Sequence, residues 1–444
     1  MAPADRRPLC FVLMPFGQKR DLTGGVVEFD EVYRSVIRPA VEAAGMEPVR
    51  ADEEHVGGII HKPMFERLVL CEYAIADLST ANANVHYELG IRHAVRPFST
   101  VLTFAEGFRL PFDLGPMRGV PYRLDESGRP SRVEADVTAL GQRLADSRAE
   151  ATDSPLFQLL KGFAPADLTA LDAEVFRSWV RASSQLQERI STAEARGDVA
   201  ALLAIRTEIG DIRDAESGVV VSLLMAFRAV QAYEQMLQLI VELPDSMSQL
   251  TLIREQRAFA LNRLGHSEEA ENVLLRLLKD VGPSSETYGL LGRVYKDRWE
   301  EQRRAGSRIG AAGLLDKAID AYVKGFETDW RDHYPGINAV ELMSLRTPVD
   351  PRLDELLPVV RYSAHQRLRA GGATYWDYAT ALELAVLSDH ADEAATLLGQ
   401  ALATAPSRME AHSTLESLQR LRRAREATGR SEVWWIELEQ ELSR

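Results

Sequence analysis

Short apolar runs alternate with amphipathic helical stretches over the first 150 residues of the chain. Residues 9–14 form a continuous apolar run closed by Pro-Phe-Gly, which predicts a buried strand followed by a loop over residues 15–25. Further strands are predicted over residues 46–50, 73–78 and 100–104. The helices predicted between the strands cover residues 29–44, 63–70 and 87–95. This order predicts a parallel sheet flanked by helices, with ligands at the carboxyl ends of the strands.

Beyond residue 150 the pattern is almost wholly helical and has an internal period. The small, large, turn and small positions of a tetratricopeptide-type helix pair are occupied by Ala258, Leu261, Gly265 and Ala270. Gly292 and Tyr295 repeat the first two positions 34 residues later, which is the length of that repeat. A polar insert over residues 298–308 then delays the partner helix until Leu315. A last unit contains Tyr378, Leu382, Ala385, Ala394, Leu398, Ala401 and Pro406. These units predict an α-solenoid.

Together the two patterns predict an α/β domain over residues 1–148, a helical connector over 149–215 and a helical repeat domain over 216–444. Apolar residues make up 45% and charged residues 27% of the chain, which is typical of globular proteins and excludes a disordered, collagen-like or membrane-embedded chain. The net charge of −14 argues against binding of bulk nucleic acid, which needs clustered basic residues.

Two cysteines exclude a disulfide framework and an all-cysteine zinc site, and we expect neither a metal nor a cofactor. No secretory signal and no stretch of membrane-spanning length is visible, which predicts a cytoplasmic protein without a membrane partner. Phosphate-loop, dinucleotide-binding, zinc-protease and α/β-hydrolase motifs are also missing.

The candidate chemistry is concentrated in residues 75–90. Asp77 lies at a strand end, Asn82 and Asn84 in the loop, and Glu88 in the predicted first turn of the next helix. A carboxylate there faces the positive end of the helix, which keeps it ionised and suits nucleophilic attack on an anomeric carbon. The alternative is structural: Asn84 caps the helix and Glu88 completes its first turn.

Four strings resemble the nucleoside 2-deoxyribosyltransferase/deoxyribohydrolase-like superfamily, which is flavodoxin-like and related to TIR domains. They are FVLMPFG at 11–17, RADE at 50–53, IADLS at 75–79 and NVHYELG at 84–90. The likeness covers roughly residues 9–125 and includes a strand over 118–122. It implies a flavodoxin-like parallel sheet, with Glu88 as the nucleophile and Asp77 orienting the sugar or assisting proton transfer to the base.

The same resemblance implies that a nucleoside, a nucleotide or an NAD-like molecule is the ligand. The residues it implies for the substrate cleft are Phe16, Gly17, Tyr33, Asp52, Asn82 and Asn84. The loop over residues 15–20 departs from the glycine- and serine-rich loop of many nucleotide-cleaving members. Active sites of this superfamily are often completed by a neighbouring subunit, which leaves a homo-oligomer open.

The helical part resembles the TRAFs-binding domain of apoptosis-signal-regulating MAP kinase kinase kinases and of many bacterial proteins. The strings that carry this likeness are GLLGRVYKDR at 289–298, LDKAI at 315–319, KGF at 324–326 and YPGINA at 334–339. Kinase motifs are missing, so the resemblance implies a regulatory region whose helical repeats hold a protein partner.

The main hypothesis is therefore an N-glycosidase or deoxyribosyltransferase-like signalling protein, coupled to a helical interaction scaffold. The alternatives are a non-catalytic sensor of a nucleotide-derived ligand and a plain scaffold with a vestigial first domain. Two further groups of residues are candidate sites. The tryptophans are predicted to pack between helices: Trp330, Trp376, Trp434 and Trp435. The arginines from Arg420 to Arg430 are predicted to form a solvated helix face, with an acidic partner surface as the alternative.

Overall fold

The structure, a computed structural model, describes residues 7–20, 25–50, 61–80, 82–108, 119–149, 151–160, 162–165, 173–213, 215–369, 373–404, 408–426 and 433–443. The chain forms two compact units. The first contains Met1–Ala232 and Val241–Leu250, and the second contains Tyr233–Ile240 and Thr251–Arg444. The domain limits proposed at residues 148 and 215 lie inside the first unit and stay predictions. No helix in the described part of the chain is long and apolar enough to cross a membrane.

The first unit is built on a five-stranded sheet. The sheet contains β1 (Leu9–Leu13), β4 (Glu47–Arg50), β5 (Tyr73–Asp77), β6 (Thr100–Ala105) and β7 (Gly119–Tyr122). Between β1 and β4 along the chain, a separate two-stranded hairpin is formed by β2 (Gln18–Arg20) and β3 (Val26–Glu28). The first helices of the unit are α1 (Phe29–Val32), α2 (Arg38–Ala43), α3 (His61–Leu70), α4 (Ala83–Val95) and α5 (Val133–Asp146). They are followed by α6 (Pro155–Leu159), α7 (Ala173–Ala195), α8 (Val199–Ile209) and α9 (Ser217–Ala229). A π-helical segment, Tyr33–Ile37, joins α1 to α2, and a 3-10 turn, Ser147–Ala149, follows α5.

The sheet has the strand order β4-β1-β5-β6-β7, and every neighbouring pair is parallel. The prediction of a parallel sheet flanked by helices is confirmed. β1 is apolar throughout because both of its faces are covered: Leu9, Phe11 and Leu13 enter one core cluster, and Cys10 and Val12 enter the other. The strand order reverses between β1 and β5, which is where ligands bind in open parallel sheets.

Two local predictions are wrong. The segment predicted as a loop over residues 15–25 contains the strand β2, which pairs antiparallel with β3 so that Lys19 lies opposite Val27. The helix predicted from residue 87 begins at Ala83, because the side chain of Asn82 accepts hydrogen bonds from the backbone N–H groups of Asn84 and Val85. Asn82, and not Asn84, is therefore the residue that caps α4.

The helix α7 belongs to the core of the first unit. Its residues Phe176 and Val180 are buried in the same cluster as Phe11 of β1. A buried ion pair between Arg67 of α3 and Glu216, which precedes α9, further connects the sheet to the helices that follow it. Helix packing in this unit thus continues well beyond the last strand.

The second unit is an array of antiparallel helix pairs. Most of the helix α10 (Tyr233–Glu242) belongs to the second unit, whereas α11 (Asp245–Ser248) belongs to the first. The array contains α12 (Thr251–Arg263), α13 (Ser267–Val281), α14 (Ser285–Arg304), α15 (Arg308–Thr328), α16 (His333–Leu345) and α17 (Leu353–Arg369). It ends with α18 (Tyr375–Leu387), α19 (Ala391–Ala403), α20 (Arg408–Glu426) and α21 (Val433–Leu442).

Successive helices pair as α12 with α13, α14 with α15, α16 with α17, and α18 with α19. The first helices of successive pairs also contact each other, so α12, α14, α16 and α18 form one layer, which we call the A layer. This confirms the predicted helical repeats. Gly292 is required where α14 crosses α15, because a Cβ atom there would lie 2.7 Å from the buried ring of Tyr322.

Three predictions for the array are corrected. The polar insert over residues 298–308 is almost entirely helical, since α14 continues to Arg304 and α15 starts at Arg308. Trp330 and Trp376 do not pack between helices: they are 64% and 47% exposed, whereas Trp435 is buried. Arg423 is exposed, as predicted, and Arg430 lies outside the described residues. The other three arginines of the predicted solvated face instead pair with acidic side chains of the chain. The pairs are Arg420 with Glu341 and Glu300, Arg422 with Glu439, and Arg425 with Asp389.

Candidate functional site

Asp77 ends β5 in a closed hydrogen-bond network. Its Oδ1 accepts from the backbone N–H of Ser79 at 3.0 Å and from Ser79 Oγ at 2.5 Å, and its Oδ2 accepts from Tyr122 OH at 2.8 Å. The backbone N–H of Ala105 donates to Ser79 Oγ at 2.9 Å, which ties the network to β6. Burial raises the pKa of Asp77 to about 6, although the bonds from Ser79 and Tyr122 oppose this shift.

This shift gives a test of the network. Because the folded-state pKa of about 6 exceeds the ordinary 3.8, the protonated carboxyl stabilises the fold below pH 4, and the contribution is lost as pH rises through 6. Asp77→Asn does not titrate. The unfolding free energy of the wild type, minus that of Asp77→Asn, should fall by about 2 kcal/mol between pH 4 and 7 in urea denaturation. The control is Asp146→Asn, at an exposed position of α5, whose unfolding free energy should change with pH as that of the wild type does. A difference between the wild type and Asp77→Asn that stays constant with pH would contradict the raised pKa of Asp77.

Glu88 lies in the second turn of α4, and the prediction of a first-turn position is wrong. The stabilisation of a negative charge by the helix N-terminus falls off within the first turn, so it does not keep Glu88 ionised. Burial instead raises the pKa of Glu88 to about 7. Within the described residues, the carboxylate has no hydrogen bond or ion pair. A half-buried carboxylate of this kind is free to bind a ligand or to exchange a proton near neutral pH.

Arg50, at the end of β4, gathers several residues of the predicted cleft. Its guanidinium lies over the ring of Phe16, 4.0 Å from the centroid, and over the ring of Tyr33 at 4.8 Å. Arg50 Nη2 also donates to the carbonyl of Pro15 at 3.1 Å and to Asp30 Oδ1 at 2.7 Å. Burial raises the pKa of Asp30, but hydrogen bonds from Arg50 and from the backbone of Gly17 outweigh it and hold that pKa below its ordinary value.

The remaining predicted residues occupy different places. Gly17 has a φ of +60° and accepts a hydrogen bond from the backbone N–H of Phe29, so it turns the chain from β1 into the β2–β3 hairpin. Asn82 caps α4 and Asn84 lies exposed in its first turn. Asp52 lies outside the described residues. The structure therefore brings Phe16 and Tyr33 together on Arg50, whereas Asp77 is bonded to Ser79 and Tyr122.

An open groove of about 670 Å³ runs along β4, between α2 and α7. Tyr33 and Arg50 line it, and neither Asp77 nor Glu88 does. In the part of the chain that the structure describes, no group of three or more histidine, cysteine or acidic side chains is arranged to hold a metal ion. Arg50 was missed as a site residue, although a basic residue at the carboxyl end of the second predicted strand was a usable signal.

A second polar cluster lies in the A layer. Lys296 of α14 donates to Glu341 Oε2 of α16 at 2.8 Å and to Asn338 at 3.0 Å, and Arg420 Nε of α20 donates to Glu341 Oε1 at 2.8 Å. The Glu341 side chain is 4% exposed. Burial raises its pKa, but the charges of Lys296 and Arg420 outweigh burial and hold that pKa below its usual range.

The comparison that covers most of the chain is with a protein family. The family model described as the MAP3K TRAFs-binding domain matches residues 85–438. The chain belongs to this family. The match takes in α4, the later part of the first unit and almost the whole helical array.

Three animal kinases are similar to this member of the MAP3K TRAFs-binding domain family. Mitogen-activated protein kinase kinase kinase 15 of Mus musculus is 31% identical over 150 residues, which is 32% of this chain and 11% of the kinase. The kinase nsy-1 of Caenorhabditis elegans is 29% identical over 226 residues, 46% of this chain and 15% of the kinase. Mitogen-activated protein kinase kinase kinase 5 of Homo sapiens is 30% identical over 133 residues, 28% of this chain and 10% of the kinase. The chain thus spans only a small part of these relatives.

Solved structures give weaker similarities. A thermophilic TPR protein of Thermus thermophilus is 18% identical, with a TM-score of 0.35 over 45% of this chain and 97% of that one. PilF of Pseudomonas aeruginosa is 14% identical, with a TM-score of 0.33 over 52% of this chain and 96% of that one.

Proposed function

We propose that this protein is an interaction scaffold whose helical array binds a partner protein of the TRAF type. Membership of the MAP3K TRAFs-binding domain family supports this proposal, as does the arrangement of paired helices, which offers extended surfaces for protein contacts. The observation that carries it furthest is a group of large aromatic side chains left in solvent on the array.

Three exposed aromatics of the array are Trp330, Tyr362 and Trp376, at 64%, 66% and 47% exposure. Contacts between their segments bring them into one region. Ser363, next to Tyr362, donates from its Oγ to the carbonyl of Trp330 at 2.7 Å. Asp377, next to Trp376, has its Oδ1 3.7 Å from Nε2 of His333, which follows Trp330 in the chain. Exposed tryptophan and tyrosine are enriched among the residues that contribute most to protein interfaces. We call these three residues the aromatic surface.

The test is calorimetric titration of the full chain with a purified TRAF-domain protein. Trp330→Ala and Trp376→Ala should each weaken binding by about thirtyfold, the effect of losing an interface residue worth about 2 kcal/mol. The control is Ile309→Ala, which removes an even more exposed apolar side chain (92%) from the α14–α15 hairpin and should leave affinity unchanged. Absence of binding to the wild type would refute the TRAF assignment, and equal binding by all variants would refute the aromatic surface.

A second candidate function concerns the first unit, and it is favoured by the carboxylate of Glu88, which has no partner among the described residues. We propose that this unit is a flavodoxin-like domain of the nucleoside deoxyribosyltransferase and TIR-related type that binds a nucleotide-derived ligand. The order β4-β1-β5-β6-β7, which is that of flavodoxin-like sheets, supports this assignment. In the catalytic form, Glu88 attacks the anomeric carbon, the glycosidic bond breaks and the base leaves with a proton, and water or a second base then displaces Glu88 from the sugar. In the sensor form, the unit holds the ligand without turnover.

The two forms are separated by measuring base release from a nucleoside, a nucleotide and NAD. In the catalytic form the wild type releases base and Glu88→Gln loses at least a hundredfold in rate, since the amide is neither nucleophile nor base. Glu106→Gln, at a surface carboxylate paired with Arg123, should keep the wild-type rate. Saturable binding without release would favour the sensor, and neither binding nor release would refute this second candidate.

A further inference from the structure

The helix α20 departs from the packing rule of the array. In the earlier pairs, the first helix of each pair follows directly on the second helix of the previous one, as α14 does on α13, α16 on α15 and α18 on α17. The main helix neighbours of α20 are instead α16, α18 and α21. It also reaches α14, because Arg420 Nη1 lies 3.2 Å from Glu300. The helix therefore lies across three helices of the A layer.

One face of α20 is buried in this position. The residues on it recur at helical spacing and are almost inaccessible: Thr414, Ser417, Leu418 and Leu421. Leu418 and Leu421 enter the same core cluster as Val340 of α16 and Leu382 of α18. Thr414 Oγ1 accepts a hydrogen bond from the hydroxyl of Tyr375 at 2.8 Å. The opposite face carries exposed Arg423. This is the pattern of an amphipathic helix lying in a groove.

The covered part of the A layer is acidic by itself. Glu300, Glu341 and Glu383 meet there, and Lys296 is the base that α14 contributes to the cluster. Burial, and secondarily the nearby charge of Glu341, raise the pKa of Glu383, against the opposing effects of Lys296 and Arg420. Arg420 supplies the balancing positive charge by bonding to Glu341 and Glu300. The face is thus complementary to a helix with an arginine between apolar residues, which α20 provides as Leu418, Arg420 and Leu421.

We propose that the face formed by α14, α16 and α18 is a binding site for an arginine-bearing amphipathic helix, that α20 is its resident ligand, and that a partner helix of the same chemistry takes its place. The proposal rests on the function proposed above, that the array binds proteins. It names a surface distinct from the aromatic surface and the chemistry of the helix that fits it. A competing helix binds only to molecules in which α20 has left this face. Its apparent affinity is therefore the intrinsic affinity multiplied by the fraction of such molecules.

The test measures binding of a fluorescein-labelled peptide with the sequence of residues 408–426 to the full chain by fluorescence anisotropy. In Arg420→Glu the resident helix presents a third carboxylate to Glu300 and Glu341 and is repelled, so the peptide should bind at least tenfold more tightly than to the wild type. Arg423→Glu makes the same charge change on the exposed face of the same helix and should behave as the wild type. A peptide that carries Arg420→Glu itself should not bind to any of them.

Hydrogen exchange on the same samples decides how each result is interpreted. Faster exchange over residues 408–426 of Arg420→Glu, with unchanged exchange over residues 285–345, shows release of α20 alone. Release without a gain in peptide affinity overturns the proposal, and so does unchanged protection of α20. If Arg420→Glu does not fold, Arg420→Ala, which removes the attraction without adding repulsion, takes its place with the same criteria. Since the probe is the chain's own helix, failure of TRAF-domain binding would leave this result unaffected.

Discussion

Replacing Arg92 by methionine is expected to lower the free energy of unfolding of the first unit by about 3–5 kcal/mol. The Arg92 side chain is completely buried. Its guanidinium donates to the backbone carbonyls of Leu68 and Cys71 at 2.8 and 2.7 Å, where α3 ends, and to that of Glu72 at 3.0 Å. It also donates to Ser99 Oγ at 3.1 Å. Methionine fills similar space but leaves these buried acceptors without donors, each at a cost of about 1–3 kcal/mol.

The matched control for Arg92 is Arg96→Met, one turn further along the same helix. Arg96 is half-buried and donates to a single carbonyl, that of Val69. Hydrogen exchange over residues 61–108 in increasing urea reports on the first unit separately from the array. We expect the loss for Arg92→Met to exceed that for Arg96→Met by at least about 2 kcal/mol. Equal losses would mean that the buried guanidinium does not organise the end of α3.

Glu341→Gln is expected to lower the free energy of unfolding of the helical array by about 3–5 kcal/mol. The change leaves Lys296 and Arg420 buried with one anion fewer, and an uncompensated buried charge is strongly destabilising. Five of the six tryptophans lie in the array, so intrinsic fluorescence in urea mainly reports on its unfolding. The control is Asp316→Asn, which breaks the half-exposed pair with Arg346 and should cost at most about 1 kcal/mol.

The effect of Glu341→Gln should also depend on pH. The folded-state pKa of Glu341 is lowered below its ordinary value of 4.5, so its ionised form stabilises the fold above that pH. The contribution is lost as pH falls through the folded-state pKa, and the wild type and Glu341→Gln should converge in acid. A difference that stays constant from pH 7 down to pH 3 would show that the carboxylate charge is not the source of the stabilisation.

Much of the fold was predictable because its signals are local. The sheet strands were found within one or two residues, since runs such as residues 9–14 are apolar on both faces. The β2–β3 hairpin was not found, because strands of only three residues are too short to show such a pattern. It is held by distant partners: the backbone N–H of Glu28 donates to the carbonyl of Gly128 at 2.9 Å. A contact over that sequence distance leaves no trace in a window of neighbouring residues.

The candidate site was only partly predictable for the same reason. Phe16 and Tyr33 both contact Arg50, which was not assigned to the site, and their role in a substrate cleft stays a prediction. The sequence also did not reveal that Glu88 has no partner among the described residues or that Asp77 is fully bonded, because both depend on what the fold buries. The catalytic roles assigned to Glu88 and Asp77 stay predictions.

Periodicity and apolar runs alone determined that this chain has a parallel sheet followed by paired helices, because burial of a strand or a helix face imposes a repeat on nearby positions. Only the tertiary structure decided which charges are satisfied inside the chain and which aromatic side chains remain in solvent. Arg420 resembles a surface residue in the sequence but is paired with Glu341 inside the array. Trp330 and Trp376 resemble core residues but are exposed. Charge pairing and exposure depend on helices brought together from distant parts of the chain, which a sequence pattern does not encode.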